Sequence, residues 1–556
     1  MHESYALGVD FGTNSVRALV VDTATGQEAG TFVAPYPSGR DGIILDLAAP
    51  DLARQHPADY LECLEVCITG AIQDAGPTFD AGRIVGIGVD TTGSTPIPVD
   101  ADGTPLALTA DFSDHPAAMA WLWKDHTAHE EARRITEAAR ALRPEYLGKC
   151  GGVYSSEWFW AKIWGSLNQA PDVFDAAHTW VEHADWIPAV LTGTTHPGVL
   201  KRGVCAAGHK AFYSDSWGGY PGADFLAALD PALARLADTL PERCHPVNES
   251  AGGLTQEWAE KLGLNAGIPV AVGAFDAHLG AVGAGVRPGT LVKIIGTSTC
   301  DITTAPLAQA LPDIPGLCGI VPESVLPGQF GLEAGQSGVG DVFNWFVQVV
   351  EPAGKDHETL TKEAESLKPG QSGLIALDWF NGNRTVLVDQ RLSGMLLGMT
   401  LATPPAHIYR ALIEATAFGA RVIIDRFGEF GVPIEQVVNC GGISAKNTLV
   451  MQIYADILNR PMMLSRSTQT CALGSAMAGA VVAGVHADFD AATEAMTGIQ
   501  ETVFRPIPEN VAVYETLFGL YKRLHDAFGV AQDPDDLSDV MKTLLDVRDR
   551  VHRQLS

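Results

Sequence analysis

Two turns of the same make, set half a chain apart, constrain this sequence more than any other feature. Around the first, Ala6 to Val9 is apolar, Asp10-Phe11-Gly12-Thr13-Asn14-Ser15 is rich in turn formers, and Val16 to Val21 is apolar again before a Thr-Ala-Thr-Gly turn. Around the second, Gly289 to Ile295 reads as a strand, Gly296-Thr297-Ser298-Thr299 as a turn, and Cys300 to Thr304 as the returning strand. Apolar runs joined by Gly, Asn, Thr and Ser predict hairpins in both places. Gly12 and Gly296 lie close to half of the 556 residues apart. A repeat on that scale predicts two related domains, each offering a hairpin turn to a shared cleft.

The segments between agree. A helix is predicted from Pro57 to about Ala75, with Tyr60, Leu64, Cys67 and Ile68 on one face. A buried strand is predicted at Ile84 to Val89, delivering Asp90 and a Thr-Thr-Gly-Ser turn. Strands alternating with helices predict an α/β fold with crossover connections. Pro288 and Gly289 punctuate the chain, which places one domain over 1–285 and the second over 286–556. The chain closes on two helical patterns, YETLFGLYKRLHDAF and LSDVMKTLLDVRDRVHRQL; the second sets Leu537, Val540, Met541, Leu544, Val547 and Val551 at helix spacing as a packing face.

Charge narrows the partners. With 37 basic and 66 acidic residues the net charge is −29, which argues against nucleic acid or an anionic membrane as a partner, since both need a basic face. The start, MHESYALGVDFG, has neither a basic n-region nor an apolar h-region, and the small-residue run Cys471 to Val485 is too short to span a bilayer. Nine cysteines without a framework of close pairs suit reduced thiols, so a cytoplasmic location is expected. Cys63 and Cys67 fall in the helical pattern YLECLEVCI and read as small buried hydrophobes, with no second ligand pair to make a metal site.

The turns carry the chemistry. Gly12 lets backbone N–H groups approach an anion, Thr13, Asn14 and Ser15 add donors, and Arg17 adds charge. Asp10 is placed to hold a hydrated Mg²⁺, through water, beside the same phosphates. Gly296, Thr297 and Ser298 repeat the arrangement. A third turn, Cys440-Gly441-Gly442-Ile443-Ser444-Ala445-Lys446-Asn447, comes after Val437-Val438, and the bare backbone at Gly441 and Gly442 lets a flat ring lie against it. Three such turns at strand ends predict nucleotide binding. A GxxxxGK[ST] loop is absent, because Gly148-Lys149 and Gly354-Lys355 lack both the upstream glycine and the following Ser/Thr, and no GxGxxG opens a helix after the first strand. Taken singly, the Asp10 turn also reads as an Asx hairpin, and Asp276, just after the strand IPVAVGAF, as a helix cap.

Together, Asp10-Phe11-Gly12-Thr13, the second Gly-Thr-Ser and Cys-Gly-Gly resemble the FGGY carbohydrate kinases of the actin-like ATPase superfamily. Gly394 to Glu414 is similar to that family's C-terminal signature, with Leu412 departing from it. RQHPADY (54–60), LWKDHTA (122–128), SSEW (155–158), CAAGHK (205–210), FDAH (275–278), EAGQSGVGD (333–341) and DWFNGNRT (378–385) resemble the branch of the family that phosphorylates ribulose. The resemblance implies two actin-like (ribonuclease H-like) α/β domains flanking a central cleft. The first carries the sugar site and the second most of the nucleotide site. It implies ATP and Mg²⁺, transfer of the γ-phosphoryl to the 5-hydroxyl of ribulose in L-arabinose catabolism, and room for a homodimer. Asp276 is the implied base; Gly93, Trp123, Lys210 and Glu333 are the implied sugar contacts. Asn381, Asn383 and Arg384 read equally as cleft supports and as a plain turn, and Asp125, His126 and Lys162 receive no role. Two alternatives stand beside this: a sister kinase for xylulose, ribitol or glycerol, and an actin- or chaperone-type ATPase.

Overall fold

The computed structural model describes residues 4–531, 536–539 and 542. Its first half is built on one seven-stranded sheet: β1 (Tyr5–Phe11), β2 (Ser15–Asp22), β3 (Glu28–Pro35), β4 (Ile84–Thr91), β5 (Ser250–Gly253), β6 (Pro269–Ala271) and β7 (Ala274–Phe275). The order is β5-β6-β4-β1-β2-β3, with β7 also paired to β4. The second half has its own seven-stranded sheet: β8 (Thr290–Ile295), β9 (Thr299–Pro306), β10 (Gly319–Pro322), β11 (Gln329–Ala334), β12 (Gln436–Cys440), β13 (Met462–Ser465) and β14 (Ile499–Phe504). Its order is β10-β11-β9-β8-β12-β13-β14.

The predicted repeat is real at the level of pairing. β1 runs antiparallel to β2 and parallel to β4; β8 runs antiparallel to β9 and parallel to β12. A third antiparallel strand flanks each hairpin, β3 on β2 and β11 on β9. The parallel strands read as continuous apolar runs because helices cover both faces.

The helices include α1 (Pro57–Asp74), α2 (Phe159–Gln169), α3 (Val204–Lys210), α4 (Asp276–Gly283), α5 (Pro405–Glu429), α6 (Gly442–Lys446), α7 (Thr470–Val482) and α8 (Pro508–Gly529). In α1, Tyr60, Cys63, Leu64, Cys67 and Ile68 are buried as the periodicity predicts, and all nine cysteines are free thiols. α4 and α7 contribute Leu279, Val282, Leu473, Ala476 and Met477 to one core that also holds Leu19 and Val21 of the first sheet and Val292, Ile302 and Val438 of the second. One apolar cluster therefore joins the two halves.

No helix among the described residues is long and apolar enough to cross a membrane. Of the packing face predicted near the C-terminus, Leu537 is exposed, and Val540, Met541, Leu544, Val547 and Val551 lie outside the described residues.

Candidate active site

Three carboxyl groups meet because three parallel strands end side by side. Asp10 stands opposite Asp90 in the β1–β4 register, and Ala274 and Phe275 of β7 pair with Asp90 and Thr91. Asp276 is then the first residue of α4. The carboxyl ends of strands are where α/β sheets leave a crevice for ligands.

Their charges are not independent. Burial, then the charge of Asp10, pushes Asp276 up to about 7; the Ala277 N–H, which donates to Asp276 Oδ1 at 2.6 Å, works against this, and Glu333 adds to it. Asp90 is fully buried, and burial together with the Asp10 charge drives it well above the carboxylate range. Ser475 Oγ–H donates to Asp90 Oδ2 at 2.5 Å, while Asp90 Oδ1 has no donor. A protonated Asp90 sharing its hydrogen with an ionised Asp10 satisfies both groups. Burial raises Asp10 too, but the bond from Asp90 and the charge of Arg17, its partner across the β1–β2 hairpin, oppose the rise.

A second cluster centres on Glu333, on β11 and 2% exposed. Lys210, the last residue of α3, donates from Nζ to Glu333 Oε2 at 3.0 Å and to Oε1 at 3.2 Å, and Arg384 Nη2 donates to Oε1. His209 Nδ1 and His278 Nε2 lie 3.4 and 3.8 Å from Glu333 Oε2. Burial alone would raise Glu333, but Lys210 and Arg384 hold it well below the usual range. Burial pushes both histidines down, His278 to about 4, so they are neutral at pH 7. The result is a fixed carboxylate between two cations, with two uncharged rings behind it.

A cavity of about 780 Å³ opens beside these groups, lined by Trp123, Trp158, Thr297, Ser298 and Arg384 among others. Lys210 and Glu333 adjoin its lining: Arg384 reaches Glu333, and Lys210 Nζ is 5.1 Å from the centre of the Trp158 ring. Trp123 is half-buried and donates from Nε1 to Thr13 Oγ1 at 3.1 Å, so the aromatic wall is tied to the first turn. A Cβ at Gly93 would lie 2.6 Å from the Phe275 ring, next to Asp276.

The three predicted turns have distinct surroundings. The first is closed by Gly12 N–H to Ser15 O at 2.9 Å, and the Asn14 side-chain amide donates to Asp41 O at 2.6 Å. In the second, Gly296 N–H donates to Ser298 O, and Thr297 O accepts from Val339 and Asp341. In the third, Gly441 has φ 97°, and a Cβ there would meet Ile295 O at 2.4 Å, whereas Gly442 is open and exposed. The register Ile294↔Cys440 sets the second and third turns side by side.

Asp125 stands apart from the cleft: it is buried, paired with Arg54, and accepts from Ala53 N–H at 2.7 Å. His126 lines the cavity, with Nδ1 3.0 Å from Ser156 Oγ. Asn383 is buried and accepts from Leu387 N–H at 3.0 Å, and Asn381 donates to Ser337 O at 3.3 Å. Asp90, His209 and His278 received no role in the sequence. The last two sit inside CAAGHK and FDAH, stretches that carried the family resemblance, and that was their only signal.

Profiles described as "FGGY family of carbohydrate kinases, N-terminal domain" and "C-terminal domain" match residues 5–283 and 291–483. The chain is 43% identical to a ribulokinase of Halalkalibacterium halodurans, over 100% of both chains. It is 42% identical to one of Mycolicibacterium smegmatis, over 94% of each. Among solved structures, a xylulose kinase from Rhodospirillum rubrum superposes with a TM-score of 0.77 at 23% identity, covering 94% of this chain and 98% of that one. A glycerol kinase from Plasmodium falciparum, solved with ADP, superposes at 0.76 and 16%, covering 96% and 99%.

Proposed function

The chain belongs to the FGGY family of carbohydrate kinases, and from that premise we propose that it is an ATP-dependent ribulokinase. It moves the γ-phosphoryl of ATP to the 5-hydroxyl of ribulose. The observation that carries this is full-length identity of 43% to a ribulokinase, joined to a carboxylate-and-cation cluster suited to a polyol beside a carboxyl poised near neutrality.

Phosphoryl transfer asks for a base at the attacking hydroxyl, neutralisation of the phosphate charge, and a site closed to water. Asp276 is the base: held at about 7, it is ionised often enough near neutrality to accept a proton and basic enough to hold it. Lys210 and Glu333 take the sugar hydroxyls, one as donor and one as acceptor, and their mutual bond fixes both before the substrate arrives. Trp123 lies along the carbon edge of the sugar, and Gly93 keeps the wall opposite free of a side chain that would displace Phe275 and with it Asp276.

The nucleotide is assigned to the turns. Thr13, Asn14, Ser15 and Arg17 of the first turn, with Thr297 and Ser298 of the second, offer their donors to the phosphates, while Gly12 and Gly296, whose N–H groups close the turns, leave the backbone bare there; Gly441 and Gly442 receive the flat base. By this reading the sugar and base residues belong mainly to 1–285, with Glu333 crossing from the second part to the first, and the nucleotide residues are shared, the first turn coming from 1–285 and the second and third from 286–556. The Asp10 charge raises Asp90 and Asp276, Asp276 raises Asp90, and Arg17 lowers Asp10, a set of carboxyls short of positive charge and suited to a hydrated hard cation. Mg²⁺ bound with the nucleotide would be held through water by Asp10 and would neutralise phosphate charge.

ADP release with Mg·ATP and a panel of ribulose, xylulose, ribitol and glycerol tests the reading. Ribulose is expected to give the highest kcat/KM. A higher value for another member keeps the kinase and overturns its substrate; turnover independent of any sugar overturns the kinase.

A further inference from the structure

Lys162 on α2 lies outside the sugar and nucleotide groups, yet it is 1% exposed and its ammonium is fully used. Nζ donates to the carbonyls of Ser94 at 2.7 Å, Leu122 at 2.9 Å and Trp121 at 3.2 Å. Three carbonyl acceptors take the three hydrogens of a charged lysine. They come from two segments that meet only in the fold. Ser94 comes directly after Gly93 in the turn after β4, and Leu122 immediately precedes Trp123.

Glu182, 3% exposed, grips the same turn from its other side. Ser94 Oγ donates to Glu182 Oε1, and Thr95 N–H donates to Oε2 at 2.8 Å. Glu182 ends a strand, Thr179–Glu182, that pairs with Pro96–Val99, so it is itself held by backbone bonds. The two buried charges compensate each other: burial pushes Lys162 down to about 7 against the pull of Glu182, and burial raises Glu182 against the pull of the Ser94 bond and of Lys162. Trp123 in turn donates to Thr13, so the aromatic wall that the clamp sets against the Gly93 turn has a second anchor on the first turn.

We propose that Lys162, with Glu182 as its counterpart, is a positioning residue for the sugar, fixing the Gly93–Ser94 turn and the backbone that presents Trp123 at the separation a ketopentose requires. This rests on the kinase reading above. Neither side chain touches a reacting atom; both act through the segments they hold. A group that only braced the fold would weaken sugar and nucleotide use alike, whereas one that spaces two sugar walls acts on the sugar alone.

Lys162→Met is the variant to compare with the wild-type enzyme, measuring KM for ribulose, KM for ATP, kcat and Tm. KM for ribulose is expected to rise about tenfold or more, with KM for ATP changed by less than about twofold. Equal changes in both KM values, or a lower Tm with unchanged kinetics, make Lys162 a structural strut and overturn the proposal. If Lys162→Met fails to fold, Ser94→Ala decides by the same two constants, since it removes the hydroxyl bond to Glu182 and leaves the buried charge in place; an unchanged KM for ribulose there overturns the proposal. Wild-type enzyme without ribulose-dependent ADP release overturns the kinase reading itself, and this one with it, before any variant is made.

Discussion

Lys210 Nζ lies 3.0 Å from Glu333 Oε2, although 123 positions separate the two residues and they belong to different halves of the molecule. α3 brings the lysine from the first half and β11 the carboxylate from the second, so the cluster proposed to hold the sugar exists only when the halves are docked. Truncating one partner leaves a buried charge with one contact fewer. A lost hydrogen bond to a charged group corresponds to about 1.5–3 kcal/mol, or about 10- to 100-fold. Lys210→Met and Glu333→Gln are each expected to lower kcat/KM for ribulose by about that factor, with KM for ATP nearly unchanged. Steady-state kinetics varying each substrate checks this.

The proposed base role of Asp276 makes the rate depend on pH. Its carboxyl is held at about 7 in the folded protein, so the ionised base is lost as pH falls through that value. The kcat/KM for ribulose is expected to rise from about pH 6 to about pH 8 with an acid limb at about 7. A pH series of kcat/KM for ribulose at saturating Mg·ATP reads the limb in the nucleotide-bound enzyme; a flat profile across this window would contradict the assignment.

The same shift lowers stability on the alkaline side. Asp276 has a folded pKa above its unfolded one, so its favourable contribution is complete at low pH and disappears as pH rises through about 7. Asp276→Asn removes that dependence. The variant is expected to melt higher than wild type at about pH 8 and equally at about pH 4, a difference that differential scanning fluorimetry resolves.

Asp90 and Asp10 are predicted to respond oppositely to the same change. Asp90 carries the shared proton, so Asp90→Asn keeps a neutral donor there and is expected to fold with Tm within a few degrees of wild type. Asp10→Asn removes the charge that faces Arg17 and, by the proposed reading, the nucleotide's phosphates, and kcat is expected to fall by about two orders of magnitude or more. Equal loss in both variants would refute the proton assignment.

Asp90 also shows where reading the sequence stops. The two hairpins, the parallel neighbour strands and α1 were legible because apolar period and turn chemistry are local signals, and the strand–turn–strand around Gly12 recurs around Gly296. Asp90 was visible only as the residue a strand delivers; that it opposes Asp10 depends on the β1–β4 register, which no local pattern encodes. Lys162, Glu182, His209 and His278 received no role from the sequence for a related reason. Buried polar groups are stabilised by partners far away in the chain, and composition or periodicity carries no record of those partners.

The central claim is that Asp276 takes the proton of a ribulose hydroxyl as the phosphoryl group arrives. The measurement closest to it is ribulose binding by Asp276→Asn, by calorimetric titration, alongside ADP release with Mg·ATP and ribulose. The account predicts binding within a few fold of wild type and turnover lower by about 10²- to 10⁴-fold, the share of rate a positioned base supplies. Turnover within about tenfold of wild type, with binding intact, would contradict it.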